Sequence, residues 1–359
     1  MILSLKNPRH VAVIVVFCLF LAAVALLRID ESLEYREVRR VELSWGDGEG
    51  QIPVSTSRDG TLFGIRCFCN GPVGVTFVAD SERGRILKYD AAGELVEILE
   101  TGRRRARLDD MTVLPTGTLL IADNSTGEIL AMPAEGQPRV LWSGARGEPL
   151  AEHIESIQAD RDGVVYASTT LLAGGEYRRR LVAVDDTAGQ GGAGRESARA
   201  IAEVVVRPAG PVEHHGFEGG LTDPAVAFRA SIRDGFYIVP VGAGSPVRLI
   251  RRFQGNGSLS GEFRVEVTGP GEPVTLAGDD GAGRVYAGIS LGTPSGRIRV
   301  YNRDGALCAE VRAPYEGKMR STGYARVDWD GNISVLEAGE HGATIRHLAP
   351  VRRKSLARR

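Results

Sequence analysis

Short apolar runs that end in charge recur along this chain. Gly74-Val75-Thr76-Phe77-Val78-Ala79-Asp80 and Thr118-Leu119-Leu120-Ile121-Ala122-Asp123 show the pattern most plainly. Runs of about 4 to 8 residues, rich in branched and aromatic side chains and bounded by Gly, Asp and Ser, read as strands. Turns are predicted at Asp59-Gly60, Thr116-Gly117, Asp162-Gly163, Asp234-Gly235, Asp280-Gly281 and Asp330-Gly331, most of them flanked by apolar strands. The strand after each turn carries Ala79, Ala122, Ala167, Ile238, Ala287 or Val335, mostly about 43 to 49 residues apart, which is a supersecondary repeat period.

A third strand follows in each unit: Arg85 to Tyr89, Glu128 to Met132, Arg180 to Val184, Val247 to Ile250, Arg297 to Tyr301 and Thr344 to His347. Fourth strands are predicted at Leu95 to Leu99, Arg139 to Trp142, Ala202 to Val206, Phe263 to Val267 and Leu307 to Val311. The sixth unit runs out near Pro350 without one. Val38 to Leu43 is predicted to supply it, because a ring closed by an N-terminal strand leaves no open edge. The long interval between the third and fourth units holds Asp186 to Ala200, a Gly/Ala/Ser-rich stretch expected to be a surface loop. The expected fold is all-β, a six-bladed β-propeller over residues 41–350.

Ahead of it, residues 1–10 form a basic flank and residues 11–27 an uncharged apolar segment. About 17 apolar positions meet the lower limit for a helix crossing a hydrocarbon core. This predicts a single-pass signal-anchor, with a removable signal peptide as the alternative because Ala23-Val24-Ala25 offers a cleavage site. Residues 28–40 read as a charged stalk and 351–359 as a basic tail. The propeller is expected on the periplasmic or extracellular side, although Arg28, Arg36, Arg39 and Arg40 compete with Lys6 and Arg9 for orientation.

The 44 Lys plus Arg against 45 Asp plus Glu give no general attraction to nucleic acid, and no such partner is expected. Cys18 lies in the apolar segment, leaving Cys67, Cys69 and Cys308 for the domain, too few for a disulfide framework. Neither a nucleophile elbow nor a phosphate-cradling glycine loop occurs, and Gly189 to Gly194 lacks the strand-turn-helix setting of a dinucleotide motif.

At Val78-Ala79-Asp80-Ser81-Glu82-Arg83-Gly84-Arg85-Ile86-Leu87-Lys88-Tyr89-Asp90 the chain resembles the NHL repeat family, with a weaker copy from Ile121-Ala122-Asp123 to Ile129-Leu130. The resemblance implies a six-bladed propeller with a binding surface. Gluconolactonase-like and strictosidine-synthase-like propellers are more distantly similar; where the former carry Glu-Gly-Pro-x-Trp, this chain has Asn70-Gly71-Pro72-Val73.

In a ring of meanders, the loop after each second strand and the loop into the next blade open on one face, where a concave mouth favours ligands. These loops carry Asp80, Asp109, Asp110, Asp123, His153, Glu155, His214, His215, Asp223 and Glu272, so the mouth is expected to be acidic with several imidazoles. Asp110, Glu155, His214 and Asp223 are the candidate ligands for a divalent cation such as Ca²⁺. For Asp80 and Asp123 the competing role is bonding to turn amides. Arg103, Arg104, Arg105 and Arg107 form a basic patch that leads into Asp109 and Asp110. The leading functional expectation is a membrane-anchored binding or scaffold module for a protein or glycan partner. The alternatives are a metal-dependent lactonase or esterase and an accessory subunit of a larger membrane complex.

Overall fold

Strands form where the apolar runs lie, because branched and aromatic side chains pack well across a pleated surface. The computed structural model describes residues 33–56, 62–134, 137–144, 153–173, 176–184, 198–206, 213–215, 226–233, 235–240, 245–269, 271–315, 319–321, 323–339 and 341–352. The chain opens with β1 (Leu33–Ser44), β2 (Ser55–Thr56) and β3 (Leu62–Phe63). Blade 1 is β4 (Phe68–Asn70), β5 (Thr76–Asp80), β6 (Arg85–Tyr89) and β7 (Leu95–Glu100). Blade 2 is β8 (Leu108–Val113), β9 (Leu119–Asp123), β10 (Glu128–Met132) and β11 (Arg139–Ser143). Blade 3 is β12 (His153–Ala159), β13 (Val165–Ala173), β14 (Glu176–Val184) and β15 (Ala198–Val206), with β16 (Glu213–His215) added outside.

Blade 4 is β17 (Val226–Ala230), β18 (Phe236–Pro240), β19 (Val247–Phe253) and β20 (Leu259–Glu266). Blade 5 is β21 (Val274–Asp279), β22 (Val285–Ile289), β23 (Arg297–Tyr301) and β24 (Leu307–Arg312). After β25 (Met319–Arg320), blade 6 is β26 (Ala325–Val327), β27 (Ile333–Ala338) and β28 (Gly342–Arg352), with β1 as its outer strand. The expected closure is therefore present. The closing strand is longer than Val38 to Leu43, and its antiparallel register from Leu33↔Arg352 to Ser44↔Gly342 takes in residues 33–40 of the expected stalk. A small sheet, β2-β3-β25, lies outside the six blades.

The hydrophobic core is divided among the interfaces between neighbouring blades. Phe77, Ala79 and Ile86 of blade 1 meet Leu108, Met111 and Ile121 of blade 2. Leu120, Ala122 and Ile129 of blade 2 meet Ile154, Ile157 and Val165 of blade 3, and Val41, Leu43 and Ile345 of blade 6 meet Phe68, Val78 and Leu87 of blade 1. Cys67 and Cys69 are buried free thiols in this packing.

Four expected turns join first to second strands as predicted, and in a fifth, between β17 and β18, Gly235 has positive φ while Asp234 lies outside the described residues. Gly117, Gly163, Gly283 and Gly331 take positive φ and donate to the carbonyl three residues back, a type I turn with a glycine at the bulge. In blade 5 this residue is Gly283, not Gly281. Asp59-Gly60 lies outside the described residues, and the first hairpin turn of blade 1 is instead Pro72–Gly74, between β4 and β5. The stretch 186–197 of the expected surface loop lies outside the described residues, whereas Ala198 to Ala200 belong to β15. Residues 11–27 also lie outside them, and among the described residues no helix is long and apolar enough to cross a membrane.

A buried polar chain seals the seam. Arg39 of β1 donates to His347 Nε2 and Thr76 Oγ1, so the imidazole proton sits on Nδ1 and is donated to Ser334 Oγ at 2.7 Å. Ser334 in turn donates to Asn70 Oδ1 at 3.1 Å. Burial, with the Arg39 charge second, pushes the His347 pKa down to about 3. Between that value and the unfolded value of about 6.5, the unfolded chain takes up a proton that the fold refuses. Stability is therefore expected to fall by up to about 1.4 kcal/mol per pH unit as pH drops below about 6. Urea titrations across pH 3 to 7 should show this slope, and His347→Gln should flatten it.

Candidate functional site

First strands line the central channel, and each runs from the loop face toward its hairpin turn. At the turn end, Arg161 of blade 3 lies over the Trp329 ring of blade 6, 5.2 Å from its centroid. Blades 3 and 6 stand opposite one another in a ring of six, so this contact bridges the channel. The loop face is the opposite end.

Asp80 ends β5 and Asp123 ends β9, where the chain turns into the third strand. Asp80 Oδ1 accepts from the Arg83 amide at 3.2 Å and Oδ2 from Arg85 Nε at 2.8 Å. Asp123 Oδ1 accepts from the Ser125 amide and Oδ2 from Arg103 Nη1, both at 2.9 Å. These two carboxylates hold their own loops. Arg103 also reaches Glu128, and so spans the loop from blade 1 to blade 2.

Asp109 and Asp110 lie near the start of β8, where a bulge between Leu108 and Asp110 leaves Asp109 without a ladder partner on β9. Asp109, buried, accepts from Arg66 Nε at 2.7 Å, Arg107 Nε at 2.8 Å and Asn124 Nδ2 at 2.8 Å. Asp110, also buried, accepts from the Ile157 amide of blade 3 at 2.8 Å and pairs with Arg326 of blade 6. Arg326 Nε donates in addition to the Phe68 carbonyl of blade 1 at 3.0 Å. One ion pair thus ties four blades around the channel. Glu155 accepts from Thr170 Oγ1 at 2.6 Å and faces Arg179 at 3.8 Å.

Arg229, on β17, donates to Ser156 Oγ at 2.6 Å. Burial lowers its pKa, opposed by the charges of Asp110 and Glu155. His153 is also pushed down, first by burial and then by Arg107. Glu272 accepts from Arg297 Nη2 at 3.0 Å and the Thr268 amide at 2.7 Å, and the Arg297 bond lowers its pKa.

The structure brings Asp109, Asp110, His153 and Glu155 together at the mouth. It does not bring His214 and His215 there. They lie on β16, the outer edge of blade 3, four strands from β12, roughly 19 Å at ordinary strand spacing. Asp223 lies outside the described residues. Among the described residues no group of three or more His, Cys, Asp or Glu is placed to hold a metal ion. The donor set also opposes a dication, since Asp110 and Glu155 already face Arg326 and Arg179 and Arg229 adds a further half-buried cation.

The mouth expected to be acidic is therefore built of carboxylates matched by arginines. Arg66, Arg179, Arg229 and Arg326 escaped the sequence reading. For Arg229 and Arg326 the local signal is a single cation in an apolar first strand, Val226-Ala227-Phe228-Arg229-Ala230 and Ala325-Arg326-Val327; Arg66 lies before β4 and Arg179 within the Arg178-Arg179-Arg180 run of β14, where no such signal marks them.

Asp110→Ala should destabilise the fold by about 2–4 kcal/mol, because it strands a half-buried guanidinium and a buried amide. Adding Arg326→Leu to that variant should recover part of the loss in a double-mutant cycle read by denaturant unfolding. A metal-ligand role would instead make the loss depend on chelator.

No family model matches the chain, and no curated protein matches it. Among solved structures it is similar to virginiamycin B lyase from Staphylococcus aureus, with 12% identity and a TM-score of 0.50 over 89% of this chain and 100% of that one. A gluconolactonase from Xanthomonas campestris gives 12% identity and a TM-score of 0.48 over 87% of this chain and 98% of that one. The RRP9 WD40 repeats give 14% identity and a TM-score of 0.47 over 85% and 99%. At such identities the likeness is one of fold, broader than the NHL repeat: the chain is a six-bladed β-propeller.

Proposed function

We propose that this chain is a binding module, held at a membrane by residues 11–27 with its propeller on the periplasmic or extracellular side, whose loop face takes an acidic protein or glycan partner. One observation carries the reading: on the described side of that face four carboxylates are buried and paired with arginines, leaving Glu82 as the exposed acid of the β5–β6 loop, while several arginines remain outside. Asp80, Asp109, Asp123 and Glu128 are each at most 3% exposed and each is bonded to an arginine. Arg104, Arg105 and Arg107 are exposed, and Arg104 and Arg105 take part in no ion pair among the described residues.

A partner's negative charge would thus meet guanidiniums first, with the neutralising carboxylates already turned inward. Arginine suits this task because its planar fork pairs with carboxylate, sulfate and phosphate oxygens through two parallel bonds. Exposed pairs of this kind are screened by salt, so binding should weaken steeply as ionic strength rises.

The test is binding of dextran sulfate, with neutral dextran as control, to the full chain in mild detergent. Dextran sulfate should bind and dextran should not, and Arg104→Glu with Arg105→Glu should weaken the interaction about tenfold or more at low salt. Equal affinity for both polymers would contradict the reading. Tight stoichiometric Ca²⁺ binding would place the hydrolase function ahead of it.

A further inference from the structure

The small sheet β2-β3-β25 has no part in the six blades, and its edge walls a pocket on the loop face. Ser55 of β2, Arg66, Ser81 and Glu82 of the β5–β6 loop, and Arg105 and Arg107 of the loop between blades line a cavity of about 320 Å³. Glu82 accepts from Ser55 Oγ at 3.0 Å and so fixes the sheet against blade 1. Arg66 and Arg107 are held side by side by their Nε atoms on the two oxygens of Asp109, which is buried behind them. Arg105 supplies the third guanidinium. Three cations therefore line the pocket against two carboxylates, Asp109 paired with two of them and Glu82 held by a serine hydroxyl, so the lining keeps a net positive charge of one.

The backbone of Arg105 gives an independent pointer. Its φ is +54°, left-handed, a conformation in which glycine would be at ease and an L side chain is strained. Strain of this kind collects at ligand sites, where the side chain must be presented in one place. The space exceeds a lone oxyanion and lies at the small end of ligand pockets. A single sugar ring fits that size, and the Ser55 and Ser81 hydroxyls are suited to its hydroxyl groups.

We infer that this pocket binds a monosaccharide unit carrying one phosphate, sulfate or carboxylate, with Arg105 gripping the anionic group beside Arg66 and Arg107. The assignment rests on the binding function proposed for the loop face and narrows its ligand to an anionic glycan.

Calorimetric titration of the full chain in detergent, at low salt, tests it with glucose 6-phosphate, glucose 6-sulfate, glucuronate, neutral glucose, and inorganic phosphate and sulfate. At least one charged sugar should bind with one-to-one stoichiometry, more tightly than the inorganic anions, and glucose should not. Arg105→Gly should weaken that binding about tenfold, and its thermal midpoint without ligand should be unchanged or higher because the strain is gone. Retained affinity in Arg105→Gly, or a lowered midpoint, overturns the role of Arg105 as a ligand group. Inorganic anions binding as tightly as the sugars overturn the saccharide assignment. If no sugar binds while dextran sulfate still does, the pocket falls and the loop-face function stands; if neither binds, both fall.

Discussion

Everything at the loop face depends on the pairing of β1 with β28. The last blade makes only three strands from its own stretch of chain, so the N-terminal strand must complete it, and the ring is closed by hydrogen bonds between the two ends of the domain. The pairing is more than a backbone ladder. Val41 and Leu43 pass into the core between blades 6 and 1, and Arg39 bonds His347 of its own blade and Thr76 of blade 1. A seam built this way leaves β28 without a free edge and fixes where blade 1 stands relative to blade 6.

With the ring closed, the interactions that hold neighbouring blades also set the charge of the mouth. Asp109 and Asp110 are placed at a bulge near the start of a first strand, where one meets Arg66 and Arg107 and the other meets Arg326 and the Ile157 amide. Burying a carboxylate is costly unless it is paired and hydrogen-bonded, and arginines from blades 1 and 6 provide that pairing. Asp279 plays a similar part between blades 4 and 5, accepting from Ser231 Oγ at 2.5 Å and the Ile232 amide at 3.0 Å. Asp80, Asp109, Asp123 and Glu128 are used up internally, and the solvent meets Arg104, Arg105 and Arg107 with Glu82 as the exposed acid of the β5–β6 loop.

The blade architecture was legible because each strand is a local event: an apolar run, a turn, and a charged end. Third strands such as Arg85 to Tyr89 and Arg297 to Tyr301 coincide with β6 and β23 residue for residue. Even the closing strand followed from counting, since a sixth unit with three strands needs a fourth from elsewhere. The first unit was misplaced because Asp59-Gly60 resembles the other turns, while the true turn of blade 1, Pro72–Gly74, has no Asp-Gly pair. The electrostatics were not legible. Acidic residues at the mouth stand out in the sequence, but Asp110 and Arg326 are far apart along the chain, and no local pattern says that they meet. The position of His214 and His215 on an outer edge likewise follows from β16 pairing with β15, which a polar connection does not announce.

The central claim, that ring closure builds a cationic loop face made for an acidic ligand, is tested most directly by hydrogen–deuterium exchange of the full chain with and without a sulfated oligosaccharide. The account predicts slowed exchange in the loop from Thr101 to Arg107 and around Ser81 to Gly84, with the hairpin turns at Leu114 to Gly117 and Asp160 to Gly163 unchanged. Protection at those turns instead, or no change on either face, would contradict it.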